Sequence, residues 1–67
     1  MKLTINGEEQ QIPETVESVE QLLAHFNVAH KKSVVEKNGE ILTKPEQKES
    51  LLNENDRLEI VHFVGGG

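Results

Sequence analysis

The sequence predicts an α+β fold in which one amphipathic helix covers a mixed β-sheet. Two Asn-Gly dipeptides separate short strand-like segments, one run with helical periodicity lies between them, and a further strand-like segment precedes three final glycines. With 67 residues, the chain is expected to form one domain with one thin core. It contains no Cys, so stability is expected from apolar packing alone.

The chain begins with a predicted β-hairpin. Met1 to Ile5 alternates apolar and polar side chains, which is the two-residue period of a half-buried strand. Asn6-Gly7 favours a type I′ turn, because Asn and Gly best tolerate positive φ. The returning segment, Glu8 to Ile12, is mostly polar and ends at Pro13, as is typical of an edge strand.

The covering helix is predicted to begin after Ser18, because Ser18 and Gln21 have the spacing of a capping box. Asn27 is the predicted stop, since Asn can adopt the left-handed conformation that ends helices. The apolar stripe follows the spacing i, i+3, i+4 and i+7 and consists of Val19, Leu22, Leu23 and Phe26.

A second hairpin is predicted around Asn38-Gly39, with strands from Ser33 to Lys37 and from Glu40 to Leu42. The polar segment from Thr43 to Ser50 contains Pro45, and we predict a loop there with room for one turn of 3₁₀ helix.

The last part of the chain is predicted to hold the most apolar strand. Leu51-Leu52 is interpreted as a short buried stretch, Asn53 to Asp56 as a turn, and Arg57 to Val64 as the final strand. The predicted organisation is therefore one domain over residues 1–64 and a flexible glycine tail over residues 65–67.

Charge limits the class of partner. Twelve acidic and seven basic residues give a formal net charge of −5, which disfavours nucleic acid. An acidic chain suits docking onto a basic protein surface, and Glu54, Asp56 and Glu59 near the tail could pair with basic residues of such a partner. A solvated exterior explains the negative charge equally well. Neither a secretory signal nor an 18-residue apolar run occurs, so we expect a cytoplasmic chain without membrane association.

The sequence offers little for catalysis. His25 and His30 lie five positions apart, which is not the four-residue spacing that places two metal ligands on one helical face, and both are interpreted as surface residues. No P-loop, G-x-S-x-G or H-E-x-x-H motif is present. We therefore predict no catalytic residue, metal or cofactor.

The three final glycines give the strongest functional indication. Extended, they span roughly 10 Å, and without Cβ atoms they can thread a narrow channel. The α-carboxylate of Gly67 is ionised at pH 7. Such a group can attack the α-phosphate of ATP and form an acyl-adenylate, so the tail is predicted to be a substrate of another protein. The alternative is a frayed end or an expression remnant, but the glycines directly follow an apolar strand, which favours the substrate.

The order of elements and the ending NENDRLEIVHFVGGG resemble the β-grasp, ubiquitin-like sulfur carrier proteins, most closely the ThiS type of thiamin biosynthesis. The helix start SVEQLL, the hairpin VVEKNGEIL and Asn6-Gly7 extend the resemblance over essentially the whole chain. One departure is Asn55, where family members often have Gly. Asn tolerates positive φ, so the turn is expected to survive.

The resemblance implies a carrier that is not an enzyme. An E1-like ATP-dependent adenylyltransferase (ThiF-type) would adenylate Gly67, and a sulfur donor protein would allow its conversion to a thiocarboxylate. Thiazole synthase (ThiG-type) would then take the sulfur. Gly65 and Gly66 match the glycine tail of the family and would give reach and a slim profile.

Three residues before the tail are candidates for partner docking: His62, Phe63 and Val64. Ordinary core and solvent-facing strand positions are the alternative. Docking is favoured for Phe63 or Val64, because a strand this apolar cannot hide both faces under one helix, and for His62 the choice stays open. Two alternative functions also remain, a molybdopterin-synthase small subunit and a ubiquitin-like protein modifier, but the short length and VHFVGGG favour the thiamin pathway.

Overall fold

The computed structural model describes residues 1–28 and 32–62, and in these ranges it shows a five-stranded mixed sheet. The strand order is β2-β1-β5-β3-β4, with β1 and β5 parallel and the other neighbours antiparallel. The elements in chain order are β1 (Lys2–Ile5), β2 (Glu8–Gln11), α1 (Val19–His25), β3 (Ser33–Lys37), β4 (Glu40–Leu42), α2 (Lys44–Glu49) and β5 (Arg57–His62). The predicted α+β fold with a mixed sheet is confirmed.

Both Asn-Gly dipeptides form the predicted hairpin turns. The φ angles are 51° and 84° at Asn6 and Gly7, and 50° and 90° at Asn38 and Gly39. Positive φ at both central positions defines the type I′ turn, whose twist matches that of the flanking strands. The polar strand β2 lies at the edge of the sheet, as its sequence predicts.

Helix α1 begins and ends where the sequence predicts. Ser18 Oγ accepts a hydrogen bond from the backbone N–H of Gln21 at 3.1 Å, and Gln21 Oε1 accepts one from the N–H of Ser18 at 3.2 Å, which completes the capping box. The helix is capped at Phe26, and Asn27 has a φ of 63°. The left-handed conformation of Asn27 thus ends the helix.

The core lies between α1 and the inner face of the sheet. Leu58 of β5 is completely buried, whereas its neighbours Arg57 and Glu59 are exposed, so the strand follows the two-residue period. The apolar stripe of the helix packs on this face, although Phe26 is only half-buried. The buried core consists of Leu3, Ile5, Ile12, Val16, Val19, Leu22, Leu23, Val35, Leu52 and Leu58.

The prediction of a loop over residues 43–50 was wrong, because this segment forms helix α2. Thr43 Oγ1 accepts from the N–H of Glu46 at 3.4 Å, and Glu46 Oε1 accepts from the N–H of Thr43 at 2.8 Å. Pro45 lies in the first turn, where a backbone N–H would have no acceptor within the helix, so its absence removes no hydrogen bond. The Thr-x-x-Glu capping box therefore outweighs the polar composition. The hydrogen bonds to Thr43 lower the pKa of the Glu46 carboxyl group.

The structure of the connection from α2 to β5 confirms the prediction for this segment in part. Leu52 is buried, but Leu51 is 62% exposed, so the predicted buried stretch is right for one residue and wrong for the other. The turn before β5 is confirmed: Asn53 N–H donates to Asp56 Oδ2 at 2.8 Å, and Asp56 N–H donates to the Asn53 carbonyl at 3.1 Å. Asn55 has a φ of 70°, so Asn takes the positive angle there.

Asp56 is part of a buried polar network, and its assignment to a surface acidic group was wrong. The residue is 8% exposed, and its Oδ1 accepts from Asn38 Nδ2 at 2.9 Å. Lys37 Nζ lies 3.8 Å from Asp56 Oδ2 and donates to the carbonyl of Leu51 at 2.6 Å. A buried carboxylate needs such partners. The network ties the second hairpin to the start of β5.

Replacing Leu58 with Ala is expected to lower the free energy of unfolding by about 2–5 kcal/mol, because it removes buried methyl groups and leaves a cavity. Leu51→Ala makes the same chemical change at an exposed position, and we expect a change within about 0.5 kcal/mol. Urea denaturation of both variants provides the comparison. Equal losses would contradict the placement of Leu58 in the core.

Replacing Asp56 with Ala is expected to lower the free energy of unfolding by about 1–3 kcal/mol, since Asn38 Nδ2 and the Asn53 N–H lose their acceptor. Glu59→Ala removes an exposed carboxylate of the same charge and should change it by less than about 0.5 kcal/mol. Thermal unfolding monitored by circular dichroism measures both. A loss for Asp56→Ala no larger than that for Glu59→Ala would contradict a structural role of Asp56.

Candidate functional site

The predicted reactive tail, Gly65 to Gly67, lies outside the described residues, as do the docking candidates Phe63 and Val64. Strand β5 leads towards them and therefore defines the described part of the site. His62, the third docking candidate, is the last residue of β5, where it pairs with Ser33 of β3.

Strand β5 is held on both sides. It pairs with β1 through Thr4↔Arg57 and Ile5↔Leu58, and with β3 through a register that runs from Lys37↔Leu58 to Ser33↔His62. A central strand of this kind has its backbone groups bonded to two neighbours and its inner side chains packed in the core. The chain therefore reaches residue 62 along one of the most constrained elements of the fold.

Each hairpin turn also uses its Asn side chain to bind β5. Asn38 Oδ1 accepts from the N–H of Arg57 at 3.0 Å, and the N–H of Asn38 donates to the carbonyl of Arg57 at 2.8 Å. Asn6 Oδ1 accepts from the N–H of Ile60 at 2.8 Å, and its Nδ2 donates to the carbonyl of Ile60 at 3.1 Å. The two turns thus hold β5 at its start and further along towards the tail.

The outer face of the sheet, opposite α1, carries exposed apolar side chains that sequence reasoning did not single out. Val34 and Val61 lie directly opposite each other on β3 and β5 and are 41% and 56% exposed, and Ile41 of β4 is 67% exposed. Strand alternation places all three on the face opposite Val35. We call Val34, Ile41 and Val61 the outer patch. The signal in the sequence was the Val34-Val35 pair, since two adjacent strand residues must face opposite sides.

Acidic side chains accompany the outer patch. Glu36 pairs with Glu59 across β3 and β5, and Glu36 also pairs with Ile41 across β3 and β4. Both carboxylates therefore lie on the outer face next to the apolar residues. The outer face therefore combines exposed apolar side chains with two carboxylates that lie among them, which is complementary to a partner surface with both apolar and basic residues.

The described residues provide no metal site. Across residues 1–28 and 32–62, no group of three or more His, Asp or Glu side chains could hold a metal ion. His25 is exposed in the last turn of α1, as predicted, with its ring centroid 5.2 Å from that of Phe26, and His30 lies outside the described residues. Within the same ranges, neither helix has the length and apolar character needed to cross a membrane.

The sequence matches the ThiS family over residues 3–67. It is 38% identical to the sulfur carrier protein ThiS of Bacillus subtilis over 65 residues, which cover 97% of this chain and 98% of that protein. It is also 45% identical over 67 residues to a thiazole synthase of Paramagnetospirillum magneticum. The alignment covers all of this chain but only 20% of that larger protein.

A solved structure shows the same fold. The crystal structure of the thiamine biosynthesis protein ThiS from Geobacter metallireducens superimposes with a TM-score of 0.81 and 32% sequence identity, and the match covers both chains completely. The predicted β-grasp fold is thereby confirmed. The family match and the full-length relative also confirm the prediction of a carrier that is not itself a catalyst. This chain belongs to the ThiS family, the sulfur carrier proteins of thiamine biosynthesis.

Proposed function

We propose that this protein carries sulfur as a thiocarboxylate on Gly67 and delivers it for formation of the thiazole of thiamin. The observation that carries the proposal is the run of three glycines that follows β5 in a chain matching the ThiS family through residue 67. Gly67 provides the carboxylate, while Gly65 and Gly66 provide reach without side chains. The protein acts as a co-substrate, and other proteins supply the catalytic groups.

Activation requires an E1-like, ATP-dependent adenylyltransferase as the first partner. A carboxylate oxygen of Gly67 attacks the α-phosphorus of ATP, the bond to the bridging oxygen of the β-phosphate breaks, and pyrophosphate leaves. Hydrosulfide supplied by a donor protein then attacks the acyl carbon, the bond from that carbon to the AMP oxygen breaks, and AMP leaves, so that the terminus becomes a thiocarboxylate after loss of the sulfur-bound proton. The mixed anhydride is needed because a free carboxylate is a poor electrophile.

Thiazole synthase is the proposed acceptor of the sulfur. The relative of that name contains a segment that aligns with the whole of this chain and makes up a fifth of its length. Presence of a similar segment in one polypeptide supports a functional link between carrier and synthase. A tail of about 10 Å allows Gly67 to enter a partner active site while the folded domain stays outside.

We propose that the outer patch is the surface on which the domain docks. Its three apolar side chains are exposed on β3, β4 and β5, and Glu36 and Glu59 lie on the same face of the sheet. Contiguous exposed apolar surface with charged neighbours is typical of an interaction site. The docking candidates His62, Phe63 and Val64 follow Val61 directly in the sequence, so the patch and the tail would engage the same partner.

A chain that lacks Gly67, and a chain with one Ala added after it, are both expected to fold normally and to lose adenylation. Deletion shortens the reach by about 3.5 Å, and the addition moves the carboxylate beyond its reactive position. Pyrophosphate release with ATP and a cognate activating enzyme should fall at least about a hundredfold, in line with the effect of misplaced reacting groups. Circular dichroism is the control for folding. Full activity of both variants would contradict a role for the Gly67 carboxylate.

Replacing Val61 with Asp is expected to raise the KM for activation at least about tenfold with kcat unchanged, since a charge in an apolar contact weakens docking without touching the reacting atoms. Leu51→Asp is the matched control: Leu51 is also exposed, but it lies on the connection between α2 and β5. Steady-state pyrophosphate release at varied carrier concentration gives both constants. Equal KM values for the two variants would exclude the outer patch as the docking surface.

A further inference from the structure

We propose that Asn6 is a positioning residue for the carrier reaction, because its side-chain amide holds β5 at Ile60, close to the described end of the strand that precedes the glycines in the sequence. The inference rests on the function proposed for Gly67 and extends it to a residue at the other end of the chain. Asn6 is exposed, belongs to the first hairpin turn and lies 54 positions from Ile60.

The side chain of Asn6 continues the pairing of β1 with β5 beyond the point where the backbone of β1 ends. The pairing of β1 with β5 ends at Ile5↔Leu58, and the N–H of Asn6 still donates to the carbonyl of Leu58 at 2.9 Å. The chain then turns away at Gly7. In its place, Asn6 Oδ1 accepts from the N–H of Ile60 at 2.8 Å, and Asn6 Nδ2 donates to the Ile60 carbonyl at 3.1 Å.

These are the two bonds that a further stretch of β1 would make to Ile60. In a parallel pair, the N–H and the carbonyl of one residue both point to the same neighbouring strand. A carboxamide presents one acceptor and one donor in a plane and can therefore satisfy both groups. Asn6 thus extends the β1 side of the sheet by one residue with its side chain.

The contact between Asn6 and Ile60 lies near the described end of β5, so its loss would affect the part of the strand that precedes the tail. Beyond Leu58, β5 pairs with β3 on one side and contacts Asn6 on the other, and the half-buried side chain of Ile60 packs against the core. Loss of the Asn6 contacts would leave Ile60 and Val61 held by β3 and that packing alone. The activating enzyme would then have to order this segment on binding, which raises KM more than it lowers kcat.

Asn38 provides a matched comparison within the same chain. It occupies the same position of a type I′ turn, with a φ of 50° against 51° for Asn6, and its Oδ1 also accepts from a β5 N–H, that of Arg57. It acts at the start of β5, away from the tail, and its Nδ2 also donates to the buried Asp56. Removing its side chain therefore disturbs stability at least as much but leaves the tail end of β5 intact.

The test compares Asn6→Gly with Asn38→Gly, because Gly keeps the positive φ of both turns and removes only the side-chain contacts. Carrier-dependent pyrophosphate release gives KM and kcat with the activating enzyme, and hydrogen exchange of the Val61 amide reports on the end of β5. Both variants are assayed at a temperature at which circular dichroism shows them folded. For Asn6→Gly we expect KM to rise about three- to tenfold, kcat to stay within about twofold and Val61 exchange to accelerate.

For Asn38→Gly we expect a lower melting temperature, but unchanged KM and unchanged Val61 exchange. Equal KM values for the two variants, or unchanged Val61 exchange in Asn6→Gly, would overturn the positioning role of Asn6 while leaving Gly67 as the reactive terminus. If the wild-type chain itself is not adenylated by an enzyme that activates another ThiS-family carrier, the function proposed for Gly67 fails, and the inference about Asn6 fails with it.

Discussion

The central position of β5 is the constraint on which the structure depends. This strand comes last among the described elements, yet it lies between β1 and β3, and it joins the two hairpins into one sheet. Its Leu58 is completely buried under α1, and its backbone is bonded on both sides. Burial of apolar area drives this arrangement, and in a domain of 67 residues few other contacts can replace it. The described part of the chain therefore ends, at His62, in one of the most firmly held segments of the fold.

The two faces of the sheet differ in burial. The inner face is covered by α1 and supplies the core, while the outer face keeps Val34, Ile41 and Val61 in contact with solvent. Exposed apolar side chains contribute little to stability, and such a patch on a small domain is typical of an interaction surface. In the proposed function, the outer patch would dock on a partner while the glycine tail enters its active site, which a rigid domain suits.

Local signals in the sequence predicted much of this fold, and long-range contacts account for what it did not reveal. The Asn-Gly dipeptides and the Ser18 capping box determine their turns and helix start within a few residues, and both were read correctly. The segment that forms helix α2 was predicted as a loop from its polar composition and Pro45, although Thr43 and Glu46 have the same capping-box spacing as Ser18 and Gln21. The burial of Asp56 and the bonds of Asn6 to Ile60 depend on the register of distant strands, which no local pattern reports. The role of Gly67 stays a prediction from the sequence and the family, since the tail lies outside the described residues.

The central claim is that Gly67 carries the sulfur, and mass spectrometry of the intact chain tests it most directly. The protein is incubated with ATP, a cognate activating enzyme and a sulfide source, and fragmentation then locates any change. The account predicts the mass increase that corresponds to replacement of one oxygen atom by sulfur, located at Gly67. An unchanged mass, under conditions in which the same enzyme converts another ThiS-family carrier, would contradict it.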